Sequence, residues 1–338
     1  MLISKGRSID YLRISLTDRC NLRCVYCMGA DGIGNKFDCS NMMSLEDVAQ
    51  FARVACAEGI RHIRLTGGEP LVRKGIVGLV RELSKIPQLE DLSMTTNGIL
   101  FTQFGEQLKE AGLARVTFSM DSTNPDTFRA LTRGGDLSKV YESINLAIEL
   151  GLAPVKINAL AYQLADDDLL EFMRMVTEEP IHVRFIEYMP IGHLGRELKI
   201  SPTPPIFDLS MAQVRASIDD LAQKQGLGVL QPTCGMHAPL GHGPASSYRF
   251  EHKESAGSFG FIGIHSDEFC SSCNRLRLTA DGKLRSCLFS ELEIPVMTAR
   301  GGNTMDSMRA SLLQAVASKP RSYKKQQGTA RVMSAIGG

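Results

Sequence analysis

The chain has 338 residues, 43% hydrophobic and 22% charged, enough for one large or two ordinary domains with a sizeable core. Its 38 Lys and Arg stand against 37 Asp and Glu, a formal charge of +1 that excludes the strongly basic balance of a general nucleic-acid binder. The first fifteen residues carry charges throughout, and no later run approaches the ~18 apolar residues of a membrane span, so a cytoplasmic protein without a membrane or nucleic-acid partner is expected.

Residues 11–16 alternate and are rich in β-formers, which predicts a strand. It delivers the chain into Arg19-Cys20-Asn21-Leu22-Arg23-Cys24-Val25-Tyr26-Cys27. With nine cysteines in the chain, a C-x-x-x-C-x-x-C run would arise by chance on the order of 0.006 times. In a reducing compartment such clusters are metal ligands or catalytic groups rather than disulfides. Three thiolates suit an iron–sulfur cluster, whereas a closed zinc site wants four ligands. A cubane has four irons, so three local ligands leave one iron open to something that is not protein. Cys39, in a polar loop, and Cys56, on an apolar helical face, read as inert.

A helix start at Ser44-Leu45-Glu46-Asp47 leads into Val48, Phe51, Ala52 and Ala55 at helical spacing. Strand–helix units then repeat: strand 60–65 ending in Thr66-Gly67-Gly68-Glu69-Pro70 and helix 74–85, strand 91–96 and helix 102–111. Strand 115–120 follows with helical pieces 125–131 and 137–150, then strand 154–159 with helix 166–177, and strand 181–187 ending in Tyr188-Met189-Pro190. Six strands alternating with helices predict an α/β fold, and six units rather than eight an incomplete TIM-like (β/α)6 barrel over residues 1–190, with sites at the strand ends.

Residues 191–338 change to Pro/Gly-rich texture and predict a smaller C-terminal α+β region. It holds Cys270-Ser271-Ser272-Cys273 and Cys287, with Asp281-Gly282 as a hairpin turn, a helix 304–317 and a basic tail. Taken alone, these three cysteines also suit a zinc site lacking one ligand; His265 and His237 are the obvious volunteers, but a lone histidine is more often a satisfied surface or core residue, and neither is recruited. In a two-residue hairpin Cys287 opposes Leu276, which leaves Cys273 three residues, or ~10 Å, along the strand. A bulge or longer turn is needed to bring the three thiols together.

Arg275 and Arg277 lie two apart on a strand and share a face, a fork for phosphate or carboxylate. Arg13, Arg64 and Lys156 fall on other strands. Each alone reads equally well as a solvated surface residue, but the five together point to a polyanionic substrate such as a nucleoside triphosphate.

The first triad with Tyr26 resembles the C-x-x-x-C-x-Φ-C signature of the radical S-adenosylmethionine enzymes, and Gly67-Gly68-Glu69-Pro70 resembles that superfamily's GGEP motif. The resemblance implies a [4Fe–4S] cluster on Cys20, Cys24 and Cys27 whose open iron chelates S-adenosylmethionine. Cofactor contacts are implied at Tyr26, Gly68, Ser119 and Met189.

The full pattern, ending in Cys270-x-x-Cys273-Asn-Arg-Leu-Arg-Leu-Thr-Ala-Asp-Gly-Lys-Leu-Arg-Ser-Cys287, is similar over nearly the whole chain to the GTP 3′,8-cyclase (MoaA) family of molybdenum cofactor biosynthesis. This implies a second [4Fe–4S] cluster on Cys270, Cys273 and Cys287, binding guanine. GTP contacts are implied at Arg13, Arg64, Thr95, Lys156, Arg275, Leu276 and Arg277, with Arg275, Arg277 and the first triad as catalytic residues. The family's double-glycine terminus matches Gly337 and Gly338 and implies that they reach the active site; otherwise residues 319–338 read as a frayed basic tail.

The implied reaction is that of a lyase giving (8S)-3′,8-cyclo-7,8-dihydroguanosine 5′-triphosphate by way of a 5′-deoxyadenosyl radical. The implied partners are a flavodoxin- or ferredoxin-type electron donor, a downstream cyclic pyranopterin monophosphate synthase and a second copy in a homodimer. Two alternatives stay open. A peptide-modifying radical maturase usually carries more auxiliary cysteines and lacks the arginine pair. An iron–sulfur electron carrier or sensor leaves Gly67–Pro70 and the strand cations unexplained.

Overall fold

The computed structural model describes residues 1–32, 42–162, 164–189, 191, 209–233, 245–263, 267–296, 304–325, 329 and 331–337; Cys39, His237, His265 and Gly338 lie outside them. A short hairpin of β1 (Ile3–Ser4) and β2 (Arg7–Ser8) precedes the main sheet. The six expected strands are β3 (Tyr11–Ser15), β4 (His62–Thr66), β5 (Asp91–Thr96), β6 (Arg115–Ser119), β7 (Val155–Leu160) and β8 (Ile181–Ile186), each parallel to the next. Between them run α1 (Leu45–Glu58), α2 (Ile76–Ser84), α3 (Gly105–Glu110), α4 (Pro125–Thr132), α5 (Leu137–Glu149) and α6 (Asp166–Glu178).

Local chemistry sets these boundaries. The Ser44 side chain caps α1 by accepting from Asp47 N at 3.0 Å, and Gly59 ends it at φ 126°. The apolar stripe of α1, with Phe51, Ala52 and Ala55 fully buried, packs on the sheet face carrying Leu12, Ile14, Ile63 and Leu65. Each large apolar side chain buried there contributes roughly 1.5–3 kcal/mol. Alternation sends Arg13 and Arg64 to the other face.

The C-terminal region is joined to this sheet rather than standing beside it. Its elements are α7 (Met211–Lys224), β9 (Leu230–Pro232), β10 (Ser246–Phe250), β11 (Ser258–Ile262), α8 (Asp267–Ser271), β12 (Arg275–Leu278), β13 (Lys283–Arg285), β14 (Ile294–Pro295) and α9 (Met305–Ala317). β11 adds parallel to β8 at one edge, and β12 adds parallel to β3 at the other. The result is one 12-stranded sheet, ordered β14-β13-β12-β3-β4-β5-β6-β7-β8-β11-β10-β9.

The β12–β13 turn differs from the two-residue expectation. Pairing of Arg277 with Arg285 and Leu278 with Leu284 leaves a five-residue loop, 279–283. Thr279 Oγ1 donates to Asp281 Oδ1 at 2.6 Å and accepts from Lys283 N at 3.0 Å, and Gly282 takes φ 73°. Continuing that register brings Cys287 opposite Arg275, so Cys273 lies two residues, or ~7 Å, along the strand. The turn through α8, with Cys273 N donating to Cys270 O at 3.2 Å, curls the third cysteine back.

Candidate active site

The row of side chains opposite the helices faces a cavity of about 280 Å³. Arg277, Arg13, Arg64, Thr95, Lys156 and Arg184 line it from β12, β3, β4, β5, β7 and β8. Arg64 is buried in the middle, donating from Nε to Tyr11 Oη at 2.6 Å and from one terminal nitrogen to Thr95 Oγ1 (3.1 Å) and Thr117 Oγ1 (2.8 Å). Burial, reinforced by mutual repulsion, pulls Arg184 down to about 9 and Lys156 down to about 6. Arg13 falls to about 10 through burial and the charges of Arg64 and Arg275, and Arg277 is pulled well below its ordinary value by the same two effects. A bound polyanion would relieve all four.

The first cysteine loop leaves the C-terminal end of β3 and is clamped from both sides. Gly68 N donates to Thr17 O at 2.7 Å and Glu69 N to Arg19 O at 2.8 Å. A Cβ on Gly68 would run into the Arg19 carbonyl, and one on Gly67 would lie 2.6 Å from Thr17 O. The buried Glu69 carboxylate accepts from Leu71 N, Thr96 Oγ1 and Asn97 N, while burial raises it to about 7. On the other side Val25 N donates to Leu131 O at 2.9 Å, and Arg133 donates to Arg23 O and Met28 O. Tyr26, which lines the cavity, donates to Asp121 Oδ2 at 2.5 Å.

Burial and neighbouring sulfur push the Cys24 thiol well up and Cys27 up to about 12, and burial raises Cys20. Three soft donors whose negative forms repel one another fit a cationic iron cluster, which would stabilise them as thiolates. Among the described residues no three His, Cys, Asp or Glu side chains are gathered as around a single metal ion.

The second set lies at the other end of the same strands, because Cys273 stands two residues before Arg275, which pairs with Tyr11, the first residue of β3. Cys270, Cys273 and Cys287 all line the cavity. Burial opposes ionisation of Cys273, but Arg275 and Lys319 overcome it and hold the thiol at about 6. Burial raises Cys287 despite the nearby Lys319. This set also fits an iron–sulfur group.

Of the other expected residues, Ser119, Met189 and Arg275 line the cavity. Gly68 belongs to the clamp on the cysteine loop. The Leu276 side chain is fully buried in the core, which leaves only its backbone for a ligand. The tail reaches in: Gly337 O accepts from Arg13 Nε at 3.0 Å and from Arg277, and Ile336 is fully buried. Arg331 anchors that tail on Asp281 with two bonds of 2.8 Å.

Sequence reasoning missed Arg184, Asn158, Tyr11, Arg7 and Lys319, all on the cavity wall. Arg184 and Asn158 are register neighbours, and Arg184 Nε and Asn158 Oδ1 are buried without a hydrogen-bond partner. Period-two alternation along 181–186 was the signal that could have found Arg184.

The profile of the Radical SAM superfamily matches residues 14–176, and that of Molybdenum Cofactor Synthesis C matches residues 181–325. GTP 3′,8-cyclase of Desulforamulus reducens is 44% identical over 342 residues and that of Syntrophomonas wolfei 42% over 344, with 100% of both chains covered each time. Streptococcus suis SuiB bound to S-adenosylmethionine superposes with a TM-score of 0.61 at 15% identity, over 88% of this chain and 65% of SuiB. SuiB bound to its precursor peptide SuiA gives the same score at 16% identity, over 94% and 66%. This chain thus spans just under two thirds of SuiB, and the likeness concerns the fold alone. With its full-length similarity to those cyclases, the chain belongs to the GTP 3′,8-cyclase family of the radical S-adenosylmethionine superfamily.

Proposed function

We propose that this protein is a radical S-adenosylmethionine lyase that converts GTP to (8S)-3′,8-cyclo-7,8-dihydroguanosine 5′-triphosphate, the first step of molybdenum cofactor biosynthesis, in the cytoplasm. The observation that carries this reading is the buried cationic row facing a cavity lined by Cys270, Cys273 and Cys287 and, from the first cysteine loop, by Tyr26. When bound, S-adenosylmethionine and the cluster on Cys20, Cys24 and Cys27 supply the 5′-deoxyadenosyl radical that takes the C3′ hydrogen of GTP, so that the ribose closes onto C8 of guanine.

The chain's own share is placement and exclusion of water. Arg13, Arg64, Thr95, Lys156 and Arg277 would take the triphosphate, with Arg275 and the Leu276 backbone beside it. Cys270, Cys273 and Cys287 would hold a second [4Fe–4S] cluster at the guanine end. Tyr26, Gly68, Ser119 and Met189 would meet S-adenosylmethionine. Gly337 and Gly338 would approach the substrate through Arg13 and Arg277.

A row curled into a partial (β/α)6 barrel suits this placement. Residues 1–190 would then form the radical-generating part and 191–338 the substrate-anchoring part. A flavodoxin- or ferredoxin-type donor, a following cyclic pyranopterin monophosphate synthase and a homodimer complete the proposal.

Anaerobic incubation of reconstituted protein with reductant, S-adenosylmethionine and GTP tests it. 5′-Deoxyadenosine formation is expected to rise on adding GTP, with the cyclised nucleotide appearing alongside; an unchanged rate would remove GTP as substrate.

A further inference from the structure

Lys319, just beyond α9, is 2% exposed, yet it has no part in the reaction described above. Its Nζ donates to Arg275 O at 2.7 Å on β12 and to Ser286 O at 2.8 Å after β13, and lies 3.5 Å from Cys273 Sγ. These three contacts use all three donors of the ammonium. Two neutral carbonyls do not offset the cost of burying a full positive charge, whereas a thiolate does. Arg7 braces the same corner from the N-terminal hairpin, donating to Cys270 O at 2.9 Å and to Pro320 O at 2.8 Å.

We propose that Lys319 is a positioning residue of the second cysteine set, locking the open end of the β12–β13 hairpin and raising the reduction potential of the cluster through its charge against the Cys273 sulfur. The sign follows from electrostatics: reduction adds negative charge, and a cation at the sulfur favours the reduced form. This rests on the two-cluster reading of the cavity.

The test is an EPR-monitored redox titration of full-length reconstituted protein with iron counted in parallel, comparing wild type with Lys319→Met and Lys319→Arg. The first cluster, marked by its perturbation with S-adenosylmethionine, is the internal reference. In Lys319→Met the second cluster's reduction equilibrium is expected to move at least tenfold toward the oxidised form, ~59 mV for one electron. Lys319→Arg, which keeps the charge, should recover most of the shift. Loss of second-cluster iron in Lys319→Met with retention in Lys319→Arg also supports the positioning role. An unchanged potential in Lys319→Met with both clusters present overturns the inference, as does loss of the first cluster's signal in either variant. A wild type that binds only one cluster defeats the two-cluster reading instead.

Discussion

The two cysteine sets occupy opposite ends of the β3–β12 pair and opposite electrostatic surroundings. Around Cys24 and Cys27, burial, neighbouring sulfur and the Asp121 carboxylate all disfavour a bare thiolate. Around Cys273, Arg275 and Lys319 favour one even in a buried place. The supports differ in balance as well. Main-chain bonds from Gly68, Glu69 and Val25, joined by the Arg133 side chain, clamp the first loop, whereas the buried side chain of Lys319 and that of Arg7 brace the second. The first set would therefore depend on a bound metal for its charge balance, whereas the second already lies in a field of cations.

The largest effect expected from breaking this contrast is at Gly68. In Gly68→Ala the added methyl meets the backbone of Arg19, which cannot give way as a side-chain tip would. Iron and 5′-deoxyadenosine formation at the first set should be lost, while the second cluster's EPR signal stays. Loss of both signals together would mean that the two ends do not stand independently.

Arg277→Ala should be intermediate. Removing a buried charge-assisted donor to phosphate is expected to weaken GTP binding about 10- to 100-fold. Slow uncoupled cleavage of S-adenosylmethionine should persist, measured without GTP; if that stops as well, Arg277 is more than a substrate ligand.

The smallest effect concerns protons. Lys156 stands at about 6 in the free site, chiefly through burial and then the charge of Arg184, so it is mostly neutral at pH 7.5. A triphosphate beside it raises that value, so binding should take up protons and weaken as the pH rises above about 6. Calorimetry in two buffers of different ionisation heat measures the uptake, and a Lys156→Met variant should lose it. Release of protons, or none, would place the triphosphate away from Lys156.

The strands were legible because each has an apolar face held on helices with their own start and stop signals; 91–96 agrees residue for residue. The C-terminal strands were not. Tyr248 and Phe250, and Phe259 and Phe261, do alternate with polar or small residues, but over runs of only five residues with no adjoining helix signal, too short to stand out. Both cysteine sets could be read from spacing. Lys319 could not, because a lysine next to a proline in a basic tail has no local mark of burial; its place depends on pairings made far away in sequence.

Asn274 Nδ2 donates to Asp10 Oδ1 at 2.6 Å, sealing the β3–β12 seam between residues 264 positions apart. The Gly68–Thr17 clamp closes a loop about one fifth that length, a difference of ~1.5 kcal/mol in closure entropy. The seam is therefore the costlier of the two to close. The first loop needs only neighbouring strand–helix units, whereas the second needs both edges of the sheet. The end of the cavity near Cys20, Cys24 and Cys27 thus rests on the shorter closure, and the end at Cys270, Cys273 and Cys287 on the longer one.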